Sequence, residues 1–212
     1  MKKIIFLLII FFLVYLIYSL SIKKTNYLLI NDSIISDLNN YLTVSKKDKI
    51  YQFSNNSIHK VYQDIINNNS IKINDDIFYF KKVLRETDII IISLGMEELN
   101  SNFDKYNMNN NYNYFNTMIL NIKDLFNEIN KYNYGKVVFL GLYNPKSYYD
   151  SSIDQFFYHV DIVLSRLMKD NNAIYIPLYE LIKSNNYRLN NSIYLNIYGK
   201  KSITTLIENY LQ

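Results

Sequence analysis

The sequence predicts a doubly wound α/β domain of the flavodoxin-like, three-layer kind, a parallel sheet of about five strands preceded by one N-terminal transmembrane helix. Three observations carry that prediction. Short runs of β-branched and aromatic residues alternate with longer amphipathic stretches, which is the order that crossover connections between parallel strands require. The stretch Asp88 to Asn100, DIIIISLGMEELN, reads as a strand buried on both faces and closed by Gly95; the residues beyond that glycine lie at the carboxyl end of a central strand, where open α/β sheets place ligands. A long apolar run between two pairs of lysines stands at the amino terminus.

That run, Ile4 to Ile22, would span ~28 Å as a helix at about 1.5 Å per residue, the thickness of a bilayer core. Tyr15, Leu16, Ile17 and Tyr18 offer no small-residue cleavage site, so residues 1–24 are expected to be an uncleaved signal-anchor. Lys2, Lys3 and the terminal amine, set against Lys23 and Lys24, favour an inside amino terminus. Residues 25–212 are then expected to be one folded domain outside the cytoplasm, held at the cell membrane by a single pass. Within it the strand candidates are Tyr27 to Ile30, Ile50 to Phe53, Ile89 to Leu94, Val137 to Leu142 and Ala173 to Pro177. Helix candidates are Ile34 to Leu42, Ser57 to Ile66, Ile77 to Arg85, Tyr114 to Asn130, Ile153 to Lys169 and Lys200 to Leu211. Phe115, Met118, Ile122, Leu125, Phe126 and Ile129 recur at the spacing of one helix face. Ile153, Phe156, Phe157, Val160, Val163, Leu164 and Leu167 do the same behind Ser151 and Ser152 as N-caps. The Asn-rich stretch Asn100 to Asn113 reads as a surface loop after the central strand.

Composition excludes several classes of function. The net charge of +4 comes from scattered lysines, with no basic run interleaved with aromatics, so nucleic acid is not an expected partner. With no cysteine there is neither disulfide, thiolate metal site nor cysteine nucleophile. The 22 tyrosines suit half-buried positions where an amphipathic ring has one dry side and one wet side. No glycine-rich phosphate loop or dinucleotide fingerprint is present, and no cofactor is expected.

Candidate chemistry gathers at two strand ends. The first strand runs into Asn31, Asp32 and Ser33; a serine at a strand-to-helix turn has an exposed hydroxyl with backbone donors nearby, although serine there also caps helices. After Gly95 come Glu97 and Glu98, of which Glu97 is a carboxylate that could serve as a base in a cleft. With Asp32 they supply too few oxygens for a hard cation, so no metal is expected. The only histidines, His59 and His159, both read as residues of helix surfaces.

Four stretches together resemble the SGNH (GDSL) hydrolase family. YLLINDSIISDL resembles its opening Gly-Asp-Ser block, and IIIISLGMEEL its strand leading to Gly-x-Asn-Asp. KVVFLGLYNP resembles its fourth strand, and NSIYLNIYGKKSI its closing Asp-x-x-His-Pro-Asn-x-x-Gly block. The order of these blocks spans Tyr27 to Leu211. The resemblance implies the SGNH hydrolase fold and a serine ester hydrolase, in which serine attacks, histidine is its base, aspartate orients the histidine, and glycine and asparagine of the middle blocks donate to the oxyanion.

Carried over, the resemblance puts Ser33 at the nucleophile position, Asn191 at the aspartate position and Tyr194 at the histidine position. Asp32 and Gly95 match the family pattern, as do Asn196 and Gly199. Asn31 replaces the opening glycine, Asn55 or Asn56 the glycine of the second block, Glu97 the oxyanion asparagine, Glu98 the following aspartate, and Leu195 the proline. A tyrosine with a pKa of about 10 is a poor base near neutral pH. The expectation is therefore a catalytically impaired relative that binds an acylated glycan, a lipid or an envelope protein; the alternative is an active esterase, lipase or deacetylase using Ser33 with a non-standard base.

Overall fold

A computed structural model describes residues 11–12, 24–43, 48–54, 56–73, 76–145, 150–183, 185–189 and 192–211. The strands are β1 (Asn26–Asn31), β2 (Lys49–Phe53), β3 (Ser70–Ile73), β4 (Asp76–Tyr79), β5 (Ile89–Ser93), β6 (Lys136–Leu140) and β7 (Ile174–Ile176). The helices are α1 (Ile58–Ile66), α2 (Phe80–Glu86), α3 (Met96–Asn102), α4 (Met108–Tyr132), α5 (Ser151–Asp170), α6 (Tyr179–Ile182) and α7 (Ile197–Leu211). Five strands form one sheet in the order β2-β1-β5-β6-β7, every pair parallel, while β3 and β4 make a separate antiparallel hairpin. With the hairpin set aside, this is the flavodoxin-like order.

Successive strand residues face opposite sides of a sheet, so the complete burial of Leu28, Leu29 and Ile30, and of Ile90 and Ile92 beside the nearly buried Ile91, requires cover on both faces. Each such side chain contributes about 1.5–3 kcal/mol relative to exposure. The helices supply the cover. α4 buries Phe115, Met118, Ile122, Leu125, Phe126 and Ile129, the face expected from their spacing, and packs with α1 and α5. α7 is tied to the segment behind β1 by Lys200 to Asp37 (2.7 Å) and by the Thr43 N–H to Glu208 (2.6 Å). Register then fixes the site: Asn31 lies beside Ser93, so Asp32-Ser33 and Leu94-Gly95 leave the sheet side by side.

Several expectations are corrected. In place of a helix over Ile34 to Leu42 there are turns and a short 3-10 segment, Leu38–Asn40. The Asp32 carboxylate takes the Ile34 N–H (3.1 Å) in a local side-chain turn, and the Asn31 amide takes the Ile35 carbonyl (2.8 Å), an acceptor that a helix would use for its own N–H four residues on. The helix expected from Ile77 starts only at Phe80, because Ile77 to Tyr79 pair with β3 in the hairpin. The expected loop Asn100 to Asn113 is mostly helical: α3 runs to Asn102 and α4 starts at Met108, capped by Asn107. Buried Asn111 joins the two by accepting from the Asp104 N–H (2.9 Å) and donating to its carbonyl (2.8 Å). The cap of α5 is Asp150, ahead of both predicted serines. The predicted anchor, residues 1–24, falls outside the described residues except for Phe11, Phe12 and Lys24; among the described residues no helix is long and apolar enough to cross a membrane.

Candidate functional site

Asp32 comes directly after β1, its N–H donating to the Ser93 carbonyl (2.9 Å). Its buried carboxylate accepts from the Met96 and Glu97 N–H groups (2.9 and 3.1 Å) and from Ile34 (3.1 Å), so one side chain clamps the two strand ends together. Burial raises the Asp32 carboxyl from 3.8 to about 6, outweighing the three backbone donors that pull the other way. Gly95 makes the turn into α3 at φ +100°, a conformation that side-chain-bearing residues rarely adopt.

Ser33 sits half-buried on this clamp. Its hydroxyl donates to Glu97 Oε2 at 2.9 Å, and its N–H points at the same oxygen from 3.5 Å. Glu97, at the position expected for an oxyanion donor, is exposed and acts as the acceptor of the serine. The other donors are also engaged. The Asn56 N–H goes to the Asn31 carbonyl (3.1 Å), and its amide goes to the carbonyls of Phe53 and Ser54 (both 2.9 Å). Lys60 reaches the Asn56 side-chain oxygen at 2.9 Å. Glu98 turns away from Ser33: Oε1 accepts from the Ile58 N–H at the start of α1 (2.9 Å), while Oε2 is buried without a hydrogen-bond partner. The three carboxylates thus serve separate partners, and among the described residues no group of three or more acidic or histidine side chains is arranged to hold a metal.

The closing block reaches the same rim through its backbone. Met96 Sδ accepts from the Tyr143 N–H (3.3 Å), and the buried Tyr143 hydroxyl donates to the Ile193 carbonyl (2.8 Å), next to Tyr194. Burial and the nearby Asp32 charge both push the Tyr143 hydroxyl upward. Arg188, also buried, donates to the Asn144 carbonyl (2.6 Å) and lies 5.4 Å from the Tyr143 ring centre. The Tyr194 ring is 49% exposed and has no hydrogen bond to Ser33 among the described residues. Asn191 and Asn55 lie outside the described residues. His59 is exposed and shares a cavity of about 220 Å³ with Glu98 and Tyr114, and exposed His159 packs edge-on to Tyr112; neither hydrogen-bonds to Ser33. Ser33, Asp32, Gly95, Glu97 and Asn56 are therefore brought together. Sequence reasoning missed Tyr143 and Arg188; a tyrosine three residues past β6 is the signal that could have found the first.

A groove of about 380 Å³ runs beside the pair, lined by Asn56, Lys60, Glu97, Glu98, Ser101 and Asn102 among others. Chemically, the arrangement is a hydroxyl polarised by a carboxylate beside a polar groove.

No family model matches the chain, and no curated protein matches it. Solved structures do. A lipase from a goat-rumen metagenome superimposes with a TM-score of 0.69 at 12% identity, covering 88% of this chain and 97% of its own. The acetyl xylan esterase AlAXEase gives 0.64 at 13%, covering 88% and 100%. A catalytic mutant of an acetylxylan esterase from Geobacillus stearothermophilus gives 0.63 at 9%, covering 88% and 94%. At such identities the likeness is one of fold, and the fold of this chain is that of the SGNH/GDSL-type hydrolases.

Proposed function

We propose that this chain is a hydrolase-fold binding protein of the cell envelope, held in the membrane by residues 1–24, in which ester hydrolysis at Ser33 is impaired. The observation that carries this reading is the Ser33 to Glu97 hydrogen bond at 2.9 Å. A tetrahedral oxyanion forming at Ser33 would meet the Glu97 carboxylate in place of a donor. Two like charges about 4 Å apart repel by about 1 kcal/mol in water and about 4 kcal/mol at an effective dielectric of about 20. One oxyanion donor is worth about 3–4 kcal/mol of transition-state stabilisation, and this one is lost as well.

Four residues other than Ser33 that match the family pattern support the same reading, since each has a structural task. Asp32 clamps two strand ends, and Gly95 takes a positive φ. Asn196 caps α7 by accepting from the Gly199 N–H (2.9 Å), and a Cβ on Gly199 would fall 2.6 Å from the Tyr187 carbonyl oxygen. The positions that differ include those whose expected task is proton transfer or charge stabilisation: Tyr194, Asn191 and Glu97. The groove beside Glu97, with donors and acceptors of both kinds, suits a polar envelope ligand: an acylated glycan, a lipid headgroup or a segment of protein.

A second reading uses the same hydrogen bond differently, with Glu97 as the base of an active esterase, lipase or deacetylase. Turnover of p-nitrophenyl acetate by the full chain separates the two. The binding reading expects a rate at background, unchanged by Ser33→Ala. Hydrolysis abolished by both Ser33→Ala and Glu97→Gln would establish the enzyme.

A further inference from the structure

At the sheet edge away from Ser33, α5, β7 and the end of α7 bound an open cavity of about 600 Å³. Its strand, β7, is two places from β5, about 10 Å at the usual interstrand spacing. Tyr158 and Tyr210, 70% and 50% exposed, line it together with Tyr175. Asp161, Glu180 and Arg166 line it too. The Tyr175 hydroxyl donates to Asp161, fixing that carboxylate at the wall. Burial, with the Glu180 charge behind it, raises the Asp161 carboxyl to about 6, which places the two acids within electrostatic reach of each other. Among the described residues the side chains of Arg166 and Glu180 make neither an ion pair nor a hydrogen bond, although both border the cavity.

The lining selects a class of ligand. A hydrocarbon tail would bury a guanidinium and two carboxylates against CH₂ groups, at a desolvation cost that its own burial does not offset. A phosphate would face two acids with one arginine, and a simple cation would face the unpaired arginine. A neutral polyhydroxylated molecule meets none of these penalties: its hydroxyls donate to Asp161 and Glu180 and accept from Arg166, while its CH faces lie on tyrosine rings that are already amphipathic. The volume falls in the range of small-molecule sites.

We propose that this cavity is a saccharide-binding site, separate from the Ser33 rim and independent of whether Ser33 turns over. The experiment uses the full chain in lipid nanodiscs, titrated calorimetrically with short neutral β-linked oligosaccharides of xylose, glucose and N-acetylglucosamine, and in parallel with choline and inorganic phosphate. At least one oligosaccharide is expected to bind. Tyr158→Ala, Tyr210→Ala and Arg166→Ala, all at exposed positions, are each expected to weaken it about tenfold or more, with the thermal unfolding midpoint unchanged. Failure of all the oligosaccharides to bind would overturn the proposal. So would binding indifferent to these three substitutions, binding lost in Ser33→Ala, or choline or phosphate binding more tightly through the same residues.

Discussion

Replacing Asp32 tests how the rim is built. Its carboxylate accepts the Ile34, Met96 and Glu97 N–H groups at 3.1, 2.9 and 3.1 Å. Asparagine has one carbonyl oxygen in place of two and turns an amide towards N–H groups, so at least one buried donor is stranded at a cost of about 1–3 kcal/mol. Against this, burial raises the Asp32 carboxyl from 3.8 to about 6 in the folded chain. A carboxyl whose folded pKa lies above its unfolded value contributes stability that is fully present below the unfolded pKa and is lost as pH rises through the folded one. The full shift corresponds to about 3 kcal/mol, of which about 2 kcal/mol is lost between about pH 4 and about pH 7.5. The stability of Asp32→Asn relative to the parent is therefore expected to rise by about 2 kcal/mol between about pH 4 and about pH 7.5. Asp161, raised by a similar amount, is present in both proteins and cancels in the difference. Urea unfolding followed by circular dichroism at the two pH values measures this change; a difference that stays constant, or that moves against Asp32→Asn as pH rises, would show that Asp32 is not held above its ordinary value.

Two other substitutions probe the scaffold. Gly95→Ala puts a Cβ at φ +100° and 3.1 Å from Met118 Sδ, and is expected to cost about 1–3 kcal/mol; an unchanged thermal midpoint would contradict the turn described. Asn133→Ala removes amide bonds to the buried carbonyls of Leu84 (2.7 Å) and Thr87 (2.8 Å) and the acceptor of the Gly135 N–H (3.0 Å). A loss of about 2–4 kcal/mol in urea unfolding is expected, and a loss well under about 1 kcal/mol would show that water replaces the side chain.

The sheet was legible because its inner strands are buried on both faces: runs such as Ile89 to Ile92 admit few other readings, and the α4 and α5 stripes repeat at helical spacing over many turns. Shorter elements were not. Ile34 and Ile35 come after a strand as a helix would, yet the turn there is decided by the Asn31 and Asp32 side chains competing for backbone groups, which hydrophobic pattern does not record. In the Asn-rich stretch, Asn107 and Asn111 act as a cap and a buried link, roles that composition reads as loop. At the site, Ser33 and Glu97 were individually visible, but their 2.9 Å contact depends on the register of β1 against β5. Tyr143 and Arg188 join the fourth strand to the closing block across more than forty residues of sequence, a distance over which no local pattern carries information.

Under the proposed function the Ser33 hydroxyl, held by an exposed carboxylate and reached by no imidazole, is not a working nucleophile. Intact-mass measurement of the full chain after incubation with a serine-directed phosphonate at about pH 7.5 tests it most directly. Unmodified protein is the expected result. A stoichiometric adduct that maps to Ser33 and disappears in Ser33→Ala would contradict it.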